Sequence, residues 1–75
     1  MATYRELIQD IYQRLDFVYD LTGALRDAAT DDEKDLFNNT RGALSSIVRQ
    51  WRTFDNQLPE KRADMKLDWE LPDWK

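Results

Sequence analysis

Along the first third of the chain apolar residues recur at alternating spacings of three and four: Tyr4, Ile8, Ile11, Leu15, Val18 and Leu25, with Thr22 in the one polar gap. That rhythm places them in one line along a helix and marks a packing seam. Thr3 followed by Glu6 is a capping-box pattern, in which each side chain answers the other's backbone amide, so the helix is predicted to run over 4–28. The pattern returns as Thr30 with Glu33, strengthened by Asp31 and Asp32 at the positive end of the new helix dipole. A second helix is predicted over 31–57. Its seam reads Phe37, Thr40, Leu44, Ile47, Trp51, Phe54 and Leu58, and Pro59 ends it because proline cannot continue the backbone ladder.

Folded back on the short turn between them, the two seams pair Ile8 with Phe54, Ile11 with Trp51, Leu15 with Ile47, Val18 with Leu44, Thr22 with Thr40, and Leu25 with Phe37. The threonine layer then serves as a register device. The expected fold is all-α: an antiparallel, coiled-coil-like two-helix hairpin over 1–58, followed by an extended C-terminal tail over 59–75. In the tail a strand period puts Met65, Leu67, Trp69 and Leu71 on one side and Lys66, Asp68 and Glu70 on the other, whereas a helical period splits the apolar residues between two faces. Pro59 is suited to start one helical turn reaching about Asp64. The tail is expected either to fold back on the hairpin, with Trp69 packed and Trp74 exposed, or to serve as a binding strip.

The apolar stripes are wider than a hairpin seam covers. Leu7, Tyr12, Tyr19 and Leu21 broaden the first, and Leu36, Ala43 and Val48 broaden the second. A second copy, completing a four-helix bundle, is the expected cover, so the chain is expected to be a homodimer. Gly23 and Gly42 fall outside the seam, and each costs about 1 kcal/mol relative to alanine inside a helix.

Composition then narrows the chemistry. The 75 residues contain neither cysteine nor histidine, which excludes disulfides, thiolate nucleophiles, imidazole bases and the common zinc sites. No enzymatic activity, cofactor or metal is expected. The net charge of −4 disfavours direct binding to nucleic-acid phosphates and to anionic membranes. The opening of the chain shows no basic-then-apolar leader and no apolar run exceeds three residues, so a soluble, cytoplasmic protein is expected. Arg41, Arg49 and Arg52 are read as an outward basic flank on the second helix, opposite an acidic flank on the first.

These features suit a small protein–protein interaction module, an adaptor or a binding inhibitor of the kind phages often encode. The candidate partner-binding residues are Trp69, Leu71, Trp74, Phe17, Tyr12, Tyr19, Arg41, Arg49 and Arg52, chosen because aromatic and arginine side chains dominate interface energetics. Two other readings remain open: an acidic mimic that occupies a nucleic-acid-binding site, and a structural assembly subunit.

Overall fold

In the computed structural model, residues 1–71 are described. Two long helices, α1 (Tyr4–Ala28) and α2 (Asp31–Asn56), pack antiparallel as a hairpin. Their limits follow from local chemistry. The Glu6 amide donates to the Thr3 hydroxyl at 3.1 Å while the Thr3 amide donates to the Glu6 carboxylate at 2.8 Å, closing the box. The Thr3 amide, and then the Thr3 hydroxyl, hold the Glu6 carboxyl below its ordinary range. At α2 the Glu33 carboxylate accepts from both the amide and the hydroxyl of Thr30, at 2.9 and 3.1 Å, and is likewise shifted down. Past Gln57, Pro59 opens a single helical turn, α3 (Glu60–Ala63).

The tail then extends and pairs with the residues just before α1. β1 (Ala2–Thr3) and β2 (Lys66–Leu67) form an antiparallel ribbon with Ala2 opposite Leu67 and Thr3 opposite Lys66. Two further bonds lengthen it: the Tyr4 amide donates to the Met65 carbonyl at 2.8 Å, and the Ala2 amide to the Trp69 carbonyl at 2.9 Å. The extended tail is thus held by backbone pairing to the chain's own start, which satisfies donors that would otherwise lie idle. Trp69 is not packed as expected. The residue remains 61% exposed, because the ribbon holds its backbone without burying it. Trp74 lies outside the described residues.

The helices meet along a line rotated from the expected seam. The buried side chains are Ile8 and Thr22 on α1, and Leu44, Val48 and Asp55 on α2, while Ile11, Val18, Leu25, Ile47 and Phe54 are exposed. On α2 the packed line keeps Leu44 and then runs one residue beyond the expected one: Val48 replaces Ile47, and Asp55 replaces Phe54. The polar layer changes accordingly. Thr22 does not pair with Thr40; its hydroxyl donates to the Tyr19 carbonyl at 2.7 Å and accepts from Arg41 Nη1 at 3.4 Å. Arg41 is not on an outward flank. It lies across the two helices with its guanidinium 3.8 Å from the Tyr19 ring centre and donates to the Tyr19 carbonyl at 2.6 Å.

This placement accounts for Gly23. A Cβ there would stand 2.5 Å from Arg41 Nη1, whereas a Cβ at Gly42 would meet nothing within 4 Å. Gly42→Ala should therefore raise stability by about 1 kcal/mol, the gain in helix propensity. Gly23→Ala should fall at least about 1 kcal/mol short of that, because its methyl displaces a charged hydrogen bond. Denaturant midpoints of the two variants measure the difference.

Candidate functional site

The packed line leaves one whole side of the hairpin uncovered. The extents are 48 × 26 × 12 Å, a single layer of helices with no third long helix among the described residues. No described side chain is fully buried, and the buried apolar residues are Ala2, Ile8, Leu44, Val48 and Ala63. Such a core is thin even for a short chain.

At the tail end this face deepens into an apolar groove of about 490 Å³, lined by Tyr4, Leu7 and Ile11 of α1, Trp51 and Phe54 of α2, and Leu67 of β2. Helical periodicity carries the same face to the turn. Leu25 lies 18 residues, five full turns, beyond Leu7, and Leu36 lies 18 residues before Phe54, so both leucines stand on the groove side. They are 54% and 65% exposed. Val18 and Ile47 continue the two rows between the ends and are exposed too. An apolar face of this extent is unusual on a protein that functions alone.

The opposite side is polar. Arg52 pairs with Asp16 across the helices and lies 5.6 Å from the Tyr12 ring centre. Tyr19, Ser45, Arg49 and Asn56 border a shallow pocket beside this pair. Asp16 and Arg52 thus belong to one surface, not to separate acidic and basic flanks. Arg14, seven residues beyond Leu7 and so at the α1 edge of the open face, pairs with Asp10 at 2.7 Å.

Between the faces, at the tail end, sits a polar cluster that the apolar pattern does not announce. Asp55 is 7% exposed. Its carboxylate accepts from Arg5 Nε at 3.0 Å, Gln9 Nε2 at 3.3 Å and the Tyr12 hydroxyl at 3.3 Å, while Arg5 Nη2 also reaches the Asp55 and Leu58 carbonyls. Burial, then the charge and hydrogen bond of Asp55, push the Tyr12 phenol above its ordinary value. The spacing Arg5, Gln9, Tyr12 is the sequence signal: a polar helical row beside the apolar one.

The candidate partner-binding residues are consequently dispersed. Tyr12 is committed to Asp55, Tyr19 lies under Arg41, and Arg52 is bonded to Asp16. Arg49 is exposed beside the shallow pocket, and Phe17 stands 41% exposed on α1. Trp69 and Leu71 are exposed near the ribbon. Sequence reasoning did not select Leu7, Ile11, Trp51 or Phe54 as a site, because it assigned Ile11, Trp51 and Phe54 to the internal seam.

Among the described residues, no group of His, Cys, Asp or Glu side chains comes together to hold a metal ion, and no helix is long and apolar enough to cross a membrane. Comparison with protein-family models, curated proteins and solved structures finds no match for the chain.

Proposed function

We propose that the protein is a non-enzymatic protein–protein interaction module that assembles through its open apolar face, first with a second copy of itself as a four-helix bundle, and then acts as an adaptor or binding inhibitor. The observation that carries this reading is the long apolar face, interrupted on α1 by the Arg14–Asp10 pair, on a chain one helix layer thick. A stable interface takes about 800 Å² from each partner, and an outline of 48 × 26 Å provides a face of that order. The rim supports self-association as well. Along α2 its middle is formed by Asn39, Ser46 and Gln50, with Gln57 just past the helix end, all uncharged, and Asp32 stands on the same line at the turn end, so away from the turn two copies can meet there without like charges opposed. Dimerisation leaves the polar side, with Arg49 and the Asp16–Arg52 pair, free for a different protein. Pairing of Asp16 with Arg52 and of Asp10 with Arg14 favours this reading over a mimic of nucleic-acid phosphates, which needs an unpaired acidic array.

Sedimentation equilibrium tests the proposal. A dimer of the 9.0 kDa chain is expected, with a melting temperature that rises with protein concentration as mass action requires. Only 9.0 kDa species at concentrations on the order of tens of micromolar would overturn it.

A further inference from the structure

We infer that the groove at the tail end of each copy is filled by the turn-end leucines, Leu25 and Leu36, of a second copy, so that the two hairpins stack with their turns at opposite ends. This rests on the reading of the open face as a self-association surface and adds the occupant and its direction.

The open face is self-complementary in shape. Its tail end is concave, a groove of about 490 Å³ walled by Leu7, Ile11, Trp51 and Phe54 and closed at its end by Leu67. Its turn end differs: Leu36 and Leu25 stand out at 65% and 54% exposed, and none of the described pockets lies there. Two hairpins can meet face to face in two symmetric ways. With turns at the same end, two hollow ends face each other and two protruding ends collide. With turns at opposite ends, each protruding end enters the other copy's hollow, twice over, as an isologous interface requires.

Charge selects the same arrangement independently. The turn end carries Asp27, Asp31, Asp32, Glu33 and Asp35 against Arg26 and Lys34, a strong acidic excess. At the tail end the amino terminus, Arg5, Lys61, Arg62 and Lys66 offset all but one of Glu6, Asp55, Glu60, Asp64, Asp68 and Glu70. Stacking with turns together would bring two acidic ends side by side. Stacking with turns apart lays each acidic end over a nearly balanced one, which relieves that repulsion.

The helical repeat supplies the register. Five turns separate Leu7 from Leu25 and Leu36 from Phe54, so a two-fold axis crossing the middle of the hairpin sets Leu25 over the partner's Leu7 and Leu36 over the partner's Phe54 together. The centre of the face then falls level with residues 16 and 45, so Ala43 lies over the partner's Ile47, and Val18 lies over the stem of the partner's Arg14, whose guanidinium is held at the edge by Asp10. All helix neighbours in the resulting bundle are antiparallel, as in up-and-down four-helix bundles.

The chain has no cysteine, so a single introduced one reports the arrangement directly. Asp31→Cys, at a side chain fully in solvent beside the turn, is spin-labelled and the distance between labels in the dimer is measured by double electron–electron resonance. Labels about 40 Å apart, the length of a 25-residue helix, are expected. Asn56→Cys, at the other end of α2, should give a second long distance and guards against a local effect of the first substitution. Distances of about 10–20 Å, the span of neighbouring helices, in a sample that sediments as a dimer would overturn the inference while leaving self-association intact. A sample that sediments as a monomer would overturn both.

Discussion

Leu44→Asp should abolish the helical far-UV circular dichroism signal at every protein concentration, whereas Ile47→Asp should leave a helical protein that no longer self-associates. The two residues are neighbours on α2 and both apolar, but Leu44 is buried between the helices and Ile47 lies on the open face, 38% exposed. An aspartate at position 44 would be an unpaired charge in one of the few buried layers between the two helices, at a cost of several kcal/mol. Only about 4–11 kcal/mol is to be expected for the whole of a 75-residue domain, and a core this thin belongs near the lower end. At position 47 the new charge meets water in the single hairpin and is buried only against a second copy. Its effect should appear as loss of the dimer and of the concentration dependence of melting. A Leu44→Asp variant that kept the parent's melting temperature would refute the assigned packing line.

The contrast between these positions shows where sequence information ends. The helix limits are legible because they are local: Thr3 with Glu6, Thr30 with Glu33, and Pro59 act within one turn of chain, and each stands where its pattern places it. The antiparallel hairpin follows from two long helices joined by so short a turn. The rotation of each helix about its own axis is another matter. On α1 Leu7, Ile8, Ile11, Leu15 and Val18 span a broad arc, and on α2 Ile47 and Val48 offer nearly equal apolar faces, so hydrophobicity alone is satisfied by several rotations. Polar contacts distant in sequence choose among them. Rotating Asp55 inward in place of Phe54 joins it to Arg5, Gln9 and Tyr12, and the same rotation brings Arg41 onto Tyr19 through the gap at Gly23.

That choice has a functional consequence. The apolar residues Ile11, Val18, Leu25, Ile47 and Phe54, which the rotation leaves exposed, lie towards one face, so the pairing that selects the hairpin's packing also creates the open apolar surface. The tail follows a similar logic. Its strand character is legible from the alternation of Met65, Leu67, Trp69 and Leu71, but its pairing partner is not, since Ala2 and Thr3 are too few to show a period. Leu67 is thereby set at the end of the groove, and the backbone ribbon, not a tryptophan anchor, holds it there.

If Asp55 selects the packing line, its removal should cost more than any surface substitution. Asp55→Ala is expected to destabilise the protein by about 3 kcal/mol, because it breaks a largely buried ion pair and strands the Gln9 and Tyr12 donors. The figure stays below the upper range for buried pairs since the Arg5 side chain is 39% exposed and can recover water. Asp55→Asn keeps an acceptor for one of the three donors and should cost about half as much. A double-mutant cycle with Arg5→Ala should show coupling of about 1 kcal/mol or more, as for residues in one network. Alkaline titration reads the same cluster by a second route. The folded protein holds the Tyr12 phenol protonated past its ordinary value of 10.0, so the stability it contributes is fully present below that pH and is lost as pH rises through the higher folded value. Stability should fall as pH rises above 10.0, and Tyr12→Phe should remove that component of the fall. In Asp55→Ala the phenol loses the neighbouring carboxylate and should ionise nearer its ordinary value, visible in the phenolate absorbance. A cost below about 0.5 kcal/mol for Asp55→Ala, the range of ordinary surface changes, together with an unchanged phenol titration, would show that Asp55 does not set the rotation of α2.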